Sequence, residues 1–469
     1  MGTVVILKLQ EGSGTLTERL YLTLKEWILH EAEPGARLPS IRALAAENNL
    51  SRTTVEAAYS QLYAEGYIES RPRSGYFVAE DLLAVDRKPD EEPRAEKQNS
   101  IGMESVRYDF YPARLSPEIF PVKTWRRLSV RALQEDLDFG AYPDGKGEAG
   151  FREQIASYLN RIRGTRCRAD QIVVCSGFID AMGLAAELMQ ARKRPFAIEW
   201  PGYRLAERVM GEHGYRTLHL PVDPQGIDPE RLEATEVGSL YLTPSHQYPT
   251  GVTLPVARRQ ALLEWARRQE SWIVEDDYDS ELNYTHRPIP AMQGLEGGER
   301  VLYLGTFSKS LSPAIRVAYL VLPEPLMERY RRSSHAHFAR VSLPVQRTLE
   351  LFMAEGHWER HLRRVRTLNR RRHDRMLAAL KRELGDRIEI VTQGGGLAIL
   401  VRSTDGCDLK RLREEAVKRG IRLYLASDFY GEEWEALRMG FGGLSEEAID
   451  EGVAETAALW RALSMTHDR

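Results

Sequence analysis

The sequence predicts an N-terminal winged helix-turn-helix joined to a large α/β domain, with a mostly parallel sheet and a small C-terminal α+β lobe. Three features predict it. Within the first eighty residues, helical apolar stripes give way to two short strand-like runs around a basic turn. Residues 80–105 then break all periodicity with charge and proline. From Tyr108 onward, short runs that are apolar on both faces alternate with helices, the pattern of a covered sheet.

Composition permits this and excludes other classes. A chain of 469 residues is long enough for several domains with full cores. It is 42% hydrophobic and 28% charged with a formal net charge of −3, so it is not fibrous, disordered or uniformly basic. No run of eighteen apolar residues suggests a membrane span, and no basic-then-apolar leader suggests export. The expectation is a cytoplasmic protein without a membrane partner. Cys167, Cys175 and Cys407 lack disulfide or metal-ligand spacing and read as reduced thiols, so no metal site is expected.

In the head, Leu16, Leu20, Leu24, Trp27 and Ile28 form one helical stripe over residues 16–30. Pro34-Gly35 turns the chain. Ser40 caps a short helix through Glu47, which Asn48-Asn49 end. Ser51 caps a second helix with Val55, Tyr59 and Leu62 inward and Arg52, Thr53 and Glu56 outward. Gly66 stops it, and residues 67–69 and 75–78 read as strands around Arg71, Pro72, Arg73 and Ser74. Such an order puts one helix in a major groove and an arm on the backbone.

Residues 38–78 resemble the winged helix-turn-helix of GntR-type regulators. The resemblance implies contact with double-stranded promoter DNA through Arg42, Ser51, Arg52, Thr53 and Thr54, with Arg71, Arg73 and Gly75 at the wing. Residues 1–79 hold eight Lys/Arg against nine Asp/Glu, so salt-driven affinity should be modest. Five of those eight cations lie from Arg37 to Arg73, on the expected reading surface. A winged helix that docks protein is the other reading.

Residues 80–105 read as a flexible tether of about 25 residues, reaching at most roughly 85 Å, enough for the head to sit over a neighbouring subunit. Candidate strands follow at 171–175, 195–199, 239–243, 272–275, 301–305 and 317–322. Functional residues should lie just past their C-terminal ends. Ser176-Gly177-Phe178 opens a helix and offers backbone N–H groups to a phosphate. Asp276 suits a pyridine nitrogen that must stay protonated, and Tyr278 a phenolic oxygen; a carboxylate capping the next turn is the plainer reading. PSHQYPTG can lie against a cofactor, and PGYR puts Tyr203 where a ring can stack.

Lys309 follows a small hydroxyl-rich turn. A lysine held out of bulk water is a nucleophile toward an aldehyde or a pyridoxal cofactor, whereas a solvated loop lysine does nothing. Thr306 and Ser308 can donate to a phosphate, and Arg316 can fork onto two of its oxygens. Farther on, residues 387–402 and 421–441 hold short strands with Gly394-Gly395-Gly396 between two of them, and 445–463 reads as a capped amphipathic helix. The arginine-rich helix at 360–375 reads as an ion-paired face or as a DNA contact.

Together these parts resemble a fold-type I aminotransferase that uses pyridoxal 5′-phosphate. With the winged head in front, the chain resembles the MocR subfamily of GntR-type transcriptional regulators, and most closely its GabR-like members. The blocks PGYR, TPSHQYPTG, IVEDDYDSE, GTFSKSLSPAIR, HLRRVR and LRMGF carry the likeness. It implies a DNA-binding domain at 1–79, a linker at 80–105 and an effector domain at 106–469 whose small lobe starts near 360. It also implies that Lys309 is the Schiff-base lysine, Asp276 the partner of the pyridine nitrogen and Tyr278 the partner of O3′. Thr306, Ser308, Arg316 and the Gly177 turn would hold the phosphate, and Tyr203 would flank the ring. Phe178 and Ile179 stand where polar residues are common, so backbone contacts must do more there.

The resemblance further implies a homodimer, with each head over the partner's body, and a small-molecule effector. Pyridoxal phosphate itself, through control of vitamin B6 synthesis, or an amine or amino acid would fill that role. Leu205 and Gly443 stand where members that sense γ-aminobutyrate place two carboxylate-binding arginines. The expectation is therefore that γ-aminobutyrate is not the effector, and that the site senses rather than turns over, with at most residual half-transamination. An aminotransferase carrying an accessory head is the rival from another class.

Overall fold

Three N-terminal helices cap themselves with the residues that the sequence offers. They are α1 (Leu16–His30), α2 (Ile41–Glu47) and α3 (Arg52–Ala64). Thr15 and Glu18 form a capping box on α1; Ser40 Oγ accepts from Ala43 N at 3.1 Å, and Ser51 Oγ from Thr54 N at 3.1 Å. The wing is an antiparallel pair, β1 (Ile68–Arg71) and β2 (Gly75–Val78), in the register Ile68↔Val78. Leu20, Leu24, Ile28, Leu44, Val55, Tyr59, Leu62 and Val78 share one buried core. Each contributes roughly 1.5–3 kcal/mol from burial, and Tyr59 satisfies its hydroxyl on Pro39 O at 2.9 Å.

This computed structural model describes residues 14–72, 74–80, 106–135, 137–190, 193–233, 235–285, 288–392 and 394–464. It comprises two units, Met1–Gly102 and Met103–Arg469. Most of the expected tether, 81–105, lies outside the described residues. Among the described residues no helix is long and apolar enough to cross a membrane.

The second unit opens with β3 (Tyr108–Asp109). It then builds an eight-stranded sheet from β4 (Ile172–Cys175), β5 (Phe196–Trp200), β6 (Thr217–Asp223), β7 (Gly226–Ile227), β8 (Ser239–Leu242), β9 (Trp272–Asp277), β10 (Val301–Thr306) and β11 (Ala318–Val321). Their order is β4-β11-β10-β9-β8-β5-β6-β7. The strands from β10 to β6 pair in parallel; β11 runs antiparallel to both neighbours, and β7 closes the far edge as a hairpin. Every residue of β4, β8, β9 and β11 is buried, as helices on both faces require. β6 escapes the sequence reading because it lies near the edge and is only sparsely buried.

The C-terminal lobe adds β12 (Ile388–Ile390), β13 (Ala398–Ser403), β14 (Ile421–Arg422) and β15 (Ala436–Gly440). β12, β13 and β15 make an antiparallel sheet, whereas β14 pairs in parallel with β3. Tyr108, Phe110 and Ile119 therefore share a core with Ile399, Leu437, Val453 and Trp460. The expected lobe from about residue 360 is thus joined by the first strand of the body, a partnership that no local pattern announces.

Candidate functional site

Parallel pairing brings several strand ends to one edge. Leu304 is level with Asp276, and Ala318 with Cys175, so the turns after β4, β9 and β10 are neighbours. At the end of β10, Gly305 is required because a Cβ there would strike the Tyr319 ring. Thr306 Oγ1 then donates to Ser308 Oγ at 2.9 Å and accepts from Ser308 N at 3.1 Å, which shapes the turn. Lys309 follows with a half-buried side chain, and loss of water lowers the proton affinity of its amine. The charges of Asp279 and Asp276 push the other way, while Arg438 adds to the lowering. It is not a solvated loop lysine. His361, on the long helix His357–Leu384, fixes the following residue through a 2.7 Å contact with Ser310 O.

Arg316 takes a left-handed conformation (φ 55°), unusual for a residue with a Cβ. Its guanidinium lies 3.5 Å from Ser176 O and fills the space where a side chain on Gly177 would stand. Gly177 has φ 84° and starts the helix Phe178–Met189. Glycine, helix start and guanidinium together make an anion seat between β4 and β11.

Asp276 faces this seat from the next strand pair. Its Oδ2 accepts from the buried Tyr241 hydroxyl, whereas Oδ1 is buried with no partner. Loss of water, with help from the neighbouring carboxylates and against the Tyr241 bond, pushes the carboxyl up to about 7. An orphaned acceptor costs about 1–3 kcal/mol and calls for a donor. Asp276 does not cap a turn, since it lies inside β9. Tyr278 lies with its hydroxyl 3.2 Å from both His246 O and His246 Nδ1. Phe178 meets Tyr203 edge-on at 4.9 Å, Tyr203 meets Tyr248 at 5.6 Å, and Tyr248 meets Tyr278 at 6.0 Å, an aromatic wall. An amine, an anion seat, an unpaired buried acceptor and a ring wall fit pyridoxal phosphate.

The structure adds a cation that the sequence reading did not single out. No arginine stands at Gly443; the guanidinium of Arg438, on β15, donates to the Tyr248 hydroxyl and lies 5.2 Å from that ring. Its charge is felt at Lys309. Gly443 instead makes room for Arg114, whose Cγ would lie 2.9 Å from a Cβ there. Arg438 sits between the buried Leu437 and Met439, and a cation in an apolar strand was the available signal. Leu205 packs against the apolar core and supplies no charge. Sequence reasoning pointed to the stretches PSHQYPTG and IVEDDYDSE but gave no individual role to His246, Tyr248 or Asp279 within them.

In the head, Arg42, Arg52 and Thr53 are exposed, and Ser51 Oγ joins Thr53 and Thr54 at 2.8 and 2.7 Å, so the start of α3 presents one connected polar face. Arg71 is held by Glu80 at 2.8 Å and lies over the Phe77 ring at 4.5 Å. Gly75 takes φ 103° at the wing's turn. Arg37, counted in the sequence among the cations of the reading surface, is exposed and bridges to Phe77 beside Gly75. Arg73 lies outside the described residues.

Comparison with known proteins adds to this geometry. The aminotransferase class I and II family matches residues 115–455, and the gntR family of bacterial regulatory proteins matches 16–78. The chain is 35% identical to the uncharacterised HTH-type transcriptional regulator YdeL of Bacillus subtilis (strain 168), over 95% of this chain and 97% of that one. It is 32% identical to the probable rhizopine catabolism regulatory protein MocR of Rhizobium meliloti (97% and 95%). It is 30% identical to the HTH-type pyridoxine biosynthesis transcriptional regulator PdxR of Corynebacterium glutamicum (94% and 94%). Among solved structures, the multiple substrate aminotransferase of Thermococcus profundus superposes with a TM-score of 0.68 at 26% identity, covering 78% of this chain and 93% of that one. The α-aminoadipate aminotransferase LysN of Thermus thermophilus, solved with N-(5′-phosphopyridoxyl)-L-leucine, gives 0.67 at 26% identity (76% and 93%).

Proposed function

The chain belongs to the MocR subfamily of GntR-type transcriptional regulators, and on that footing we propose that its head binds promoter DNA while its body senses pyridoxal 5′-phosphate or an amine that reacts with it. The observation that carries the sensing half is the partnerless Oδ1 of Asp276, set among the Lys309 amine and the Gly177–Arg316 seat. Bound pyridoxal phosphate supplies an aldehyde and an electron-withdrawing ring. The chain's own residues do the rest. Lys309 offers an amine whose proton affinity burial has lowered. Asp276 holds a proton on the ring nitrogen, Tyr278 orients the phenolic oxygen, and Phe178 and Tyr203 flank the ring. Arg316, Thr306, Ser308 and the N–H groups after Gly177 hold the phosphate.

Arg438 suits a ligand carboxylate, which favours an amino acid as the second effector and removes half of the case against γ-aminobutyrate. The likeness to PdxR, a pyridoxine biosynthesis transcriptional regulator, supports pyridoxal phosphate itself as a signal, with vitamin B6 synthesis as the regulated process. A ligand that binds two arrangements of the body unequally shifts their populations, and the heads report the shift on DNA. Such a protein works in the cytoplasm, where its operator is. Arg438 beside Lys309 also sustains the second reading, an aminotransferase with an accessory head.

Spectral titration separates the two. Purified protein should gain a visible absorption band with pyridoxal phosphate; Lys309→Ala should not. Added amines should shift the band and change the affinity for the promoter of a neighbouring operon. Steady-state keto-acid production without specific promoter binding would reverse the assignment.

A further inference from the structure

His246 and Asp279 lie at the centre of the site, yet neither is among the residues assigned to hold the cofactor. His246 Nδ1 is 2.8 Å from Asp279 Oδ2 and 3.2 Å from the Tyr278 hydroxyl, which also lies 3.2 Å from His246 O. The ring's Nε2 is buried without a partner. A cavity of about 10 Å³, close to the smallest that holds one water, is lined by His246, Asp279, Ser245, Arg163, Asn283 and Gly395.

The seat for this ring is made by a glycine turn of the C-terminal lobe. A Cβ on Gly395 or on Gly396 would lie 3.2 Å from the imidazole. That turn is tied down: Asn283 bridges to Gly395, Gly396 N donates to Leu282 O at 3.0 Å, and Gly394 N donates to His373 Nε2 at 2.9 Å. Gly394-Gly395-Gly396, which the sequence placed between two strands, thus has a use: it closes over His246 without contributing side chains of its own.

We infer that His246, held by Asp279, is a positioning residue for the cofactor: the pair fixes the Tyr278 hydroxyl and sets the pH at which the lysine–cofactor linkage gains its proton. The inference rests on the roles proposed above for Lys309 and Tyr278. The charged and titratable groups around the ring are few. Asp279 and Tyr278 come from the segment after β9, and Arg163 faces it across the small cavity, already bound to Asp277 at 2.7 Å and Ser245 at 2.8 Å. Lys309 feels the charge of Asp279. Thr392 and the glycine turn add no charge. Burial disfavours a charged imidazole, but the Asp279 carboxylate more than offsets this, and the proton affinity of His246 is raised. One carboxylate therefore serves two cations, the imidazolium and the nitrogen at Lys309.

Removing the Asp279 charge destabilises both cations, so each loses its proton at lower pH; removing the imidazolium frees the carboxylate for Lys309, so the linkage keeps its proton to higher pH. In the full-length protein loaded with pyridoxal phosphate, Asp279→Asn should lower the pH midpoint of the visible band by roughly one unit. His246→Leu should raise that midpoint and weaken cofactor binding. His246→Asn, whose amide N–H replaces Nδ1–H toward Asp279, should restore the binding. An unchanged midpoint in Asp279→Asn would overturn the inference. So would equal loss of binding in His246→Asn and His246→Leu, which would reduce the ring to packing. A second readout needs no cofactor: in the cofactor-free protein, Asp279→Asn should lower the His246 imidazole midpoint seen by NMR, and an unmoved midpoint refutes the pair. A wild type that gains no band with pyridoxal phosphate would sink the proposed function by itself, and the imidazole titration would still decide whether Asp279 holds His246.

Discussion

Asp276 holds two unequal oxygens in one buried carboxyl: one bonded to Tyr241, the other waiting. Burial pushes this carboxyl up to about 7, against an ordinary value near 4, with a consequence for stability. Between those values the folded chain keeps a proton that the unfolded chain has lost, so this group makes the cofactor-free protein less stable as pH rises through the window. The size is about 1.4 kcal/mol for each pH unit. Asp276→Asn removes the effect, so the Tm of the variant relative to wild type should climb from about pH 5 to about pH 7. A constant difference would show that the carboxyl titrates normally. Arg438 makes the second prediction at this scale. Arg438→Leu leaves a ligand carboxylate unpaired in the site and should weaken carboxylate-bearing amines by about 3 kcal/mol, near a hundredfold, while sparing amines that lack one. Isothermal titration with matched amines checks it.

Helix α3 depends on its cap. Ser51 Oγ accepts from Thr54 N and ties Thr53 and Thr54 together, so one side chain both starts the helix and shapes its polar tip. Ser51→Ala should cost about 1 kcal/mol of local stability. Hydrogen exchange in the full-length chain should show it as faster exchange in the first turn of α3, with weaker promoter binding; unchanged exchange would mean that the cap is idle. The helices α1–α3 were legible because capping residues and apolar period agree along them. β11 was legible as a strand but not as an antiparallel one, since Val317 to Leu322 carry no mark of direction. Its direction matters: reversing there is what brings Arg316 back to Gly177.

For the whole molecule, two exposed apolar groups point to assembly. Val122, Val130 and Leu133 face outward on the helix Val122–Gln134, and Tyr142 and Phe338 stack edge-on at 5.0 Å while exposed to solvent. Burying such residues against a second copy would gain what exposure forfeits. For the homodimer that the family resemblance implies, the double variant Val130→Glu, Leu133→Glu should halve the mass seen by sedimentation and abolish binding to a promoter with two half-sites, though not to a single half-site. A variant that stays dimeric would place the interface elsewhere. Lys309 and the winged head lie in separate units of the chain.

By itself the sequence determined whatever depends on near neighbours: caps at Ser40 and Ser51, the period of α1, the covered strands, and which residues fall at the strands' C-terminal ends. Lys309, Asp276 and Tyr278 fall there because a parallel sheet sends all such ends to one edge; Arg316 reaches that edge because β11 runs antiparallel. Only the tertiary structure decided that Arg438 reaches Tyr248, that β3 pairs with β14 across most of the chain, and that His246 lies under a glycine turn from another lobe. Local propensity and period carry no address for a partner hundreds of residues away; that address is written in how the packed elements close on one another.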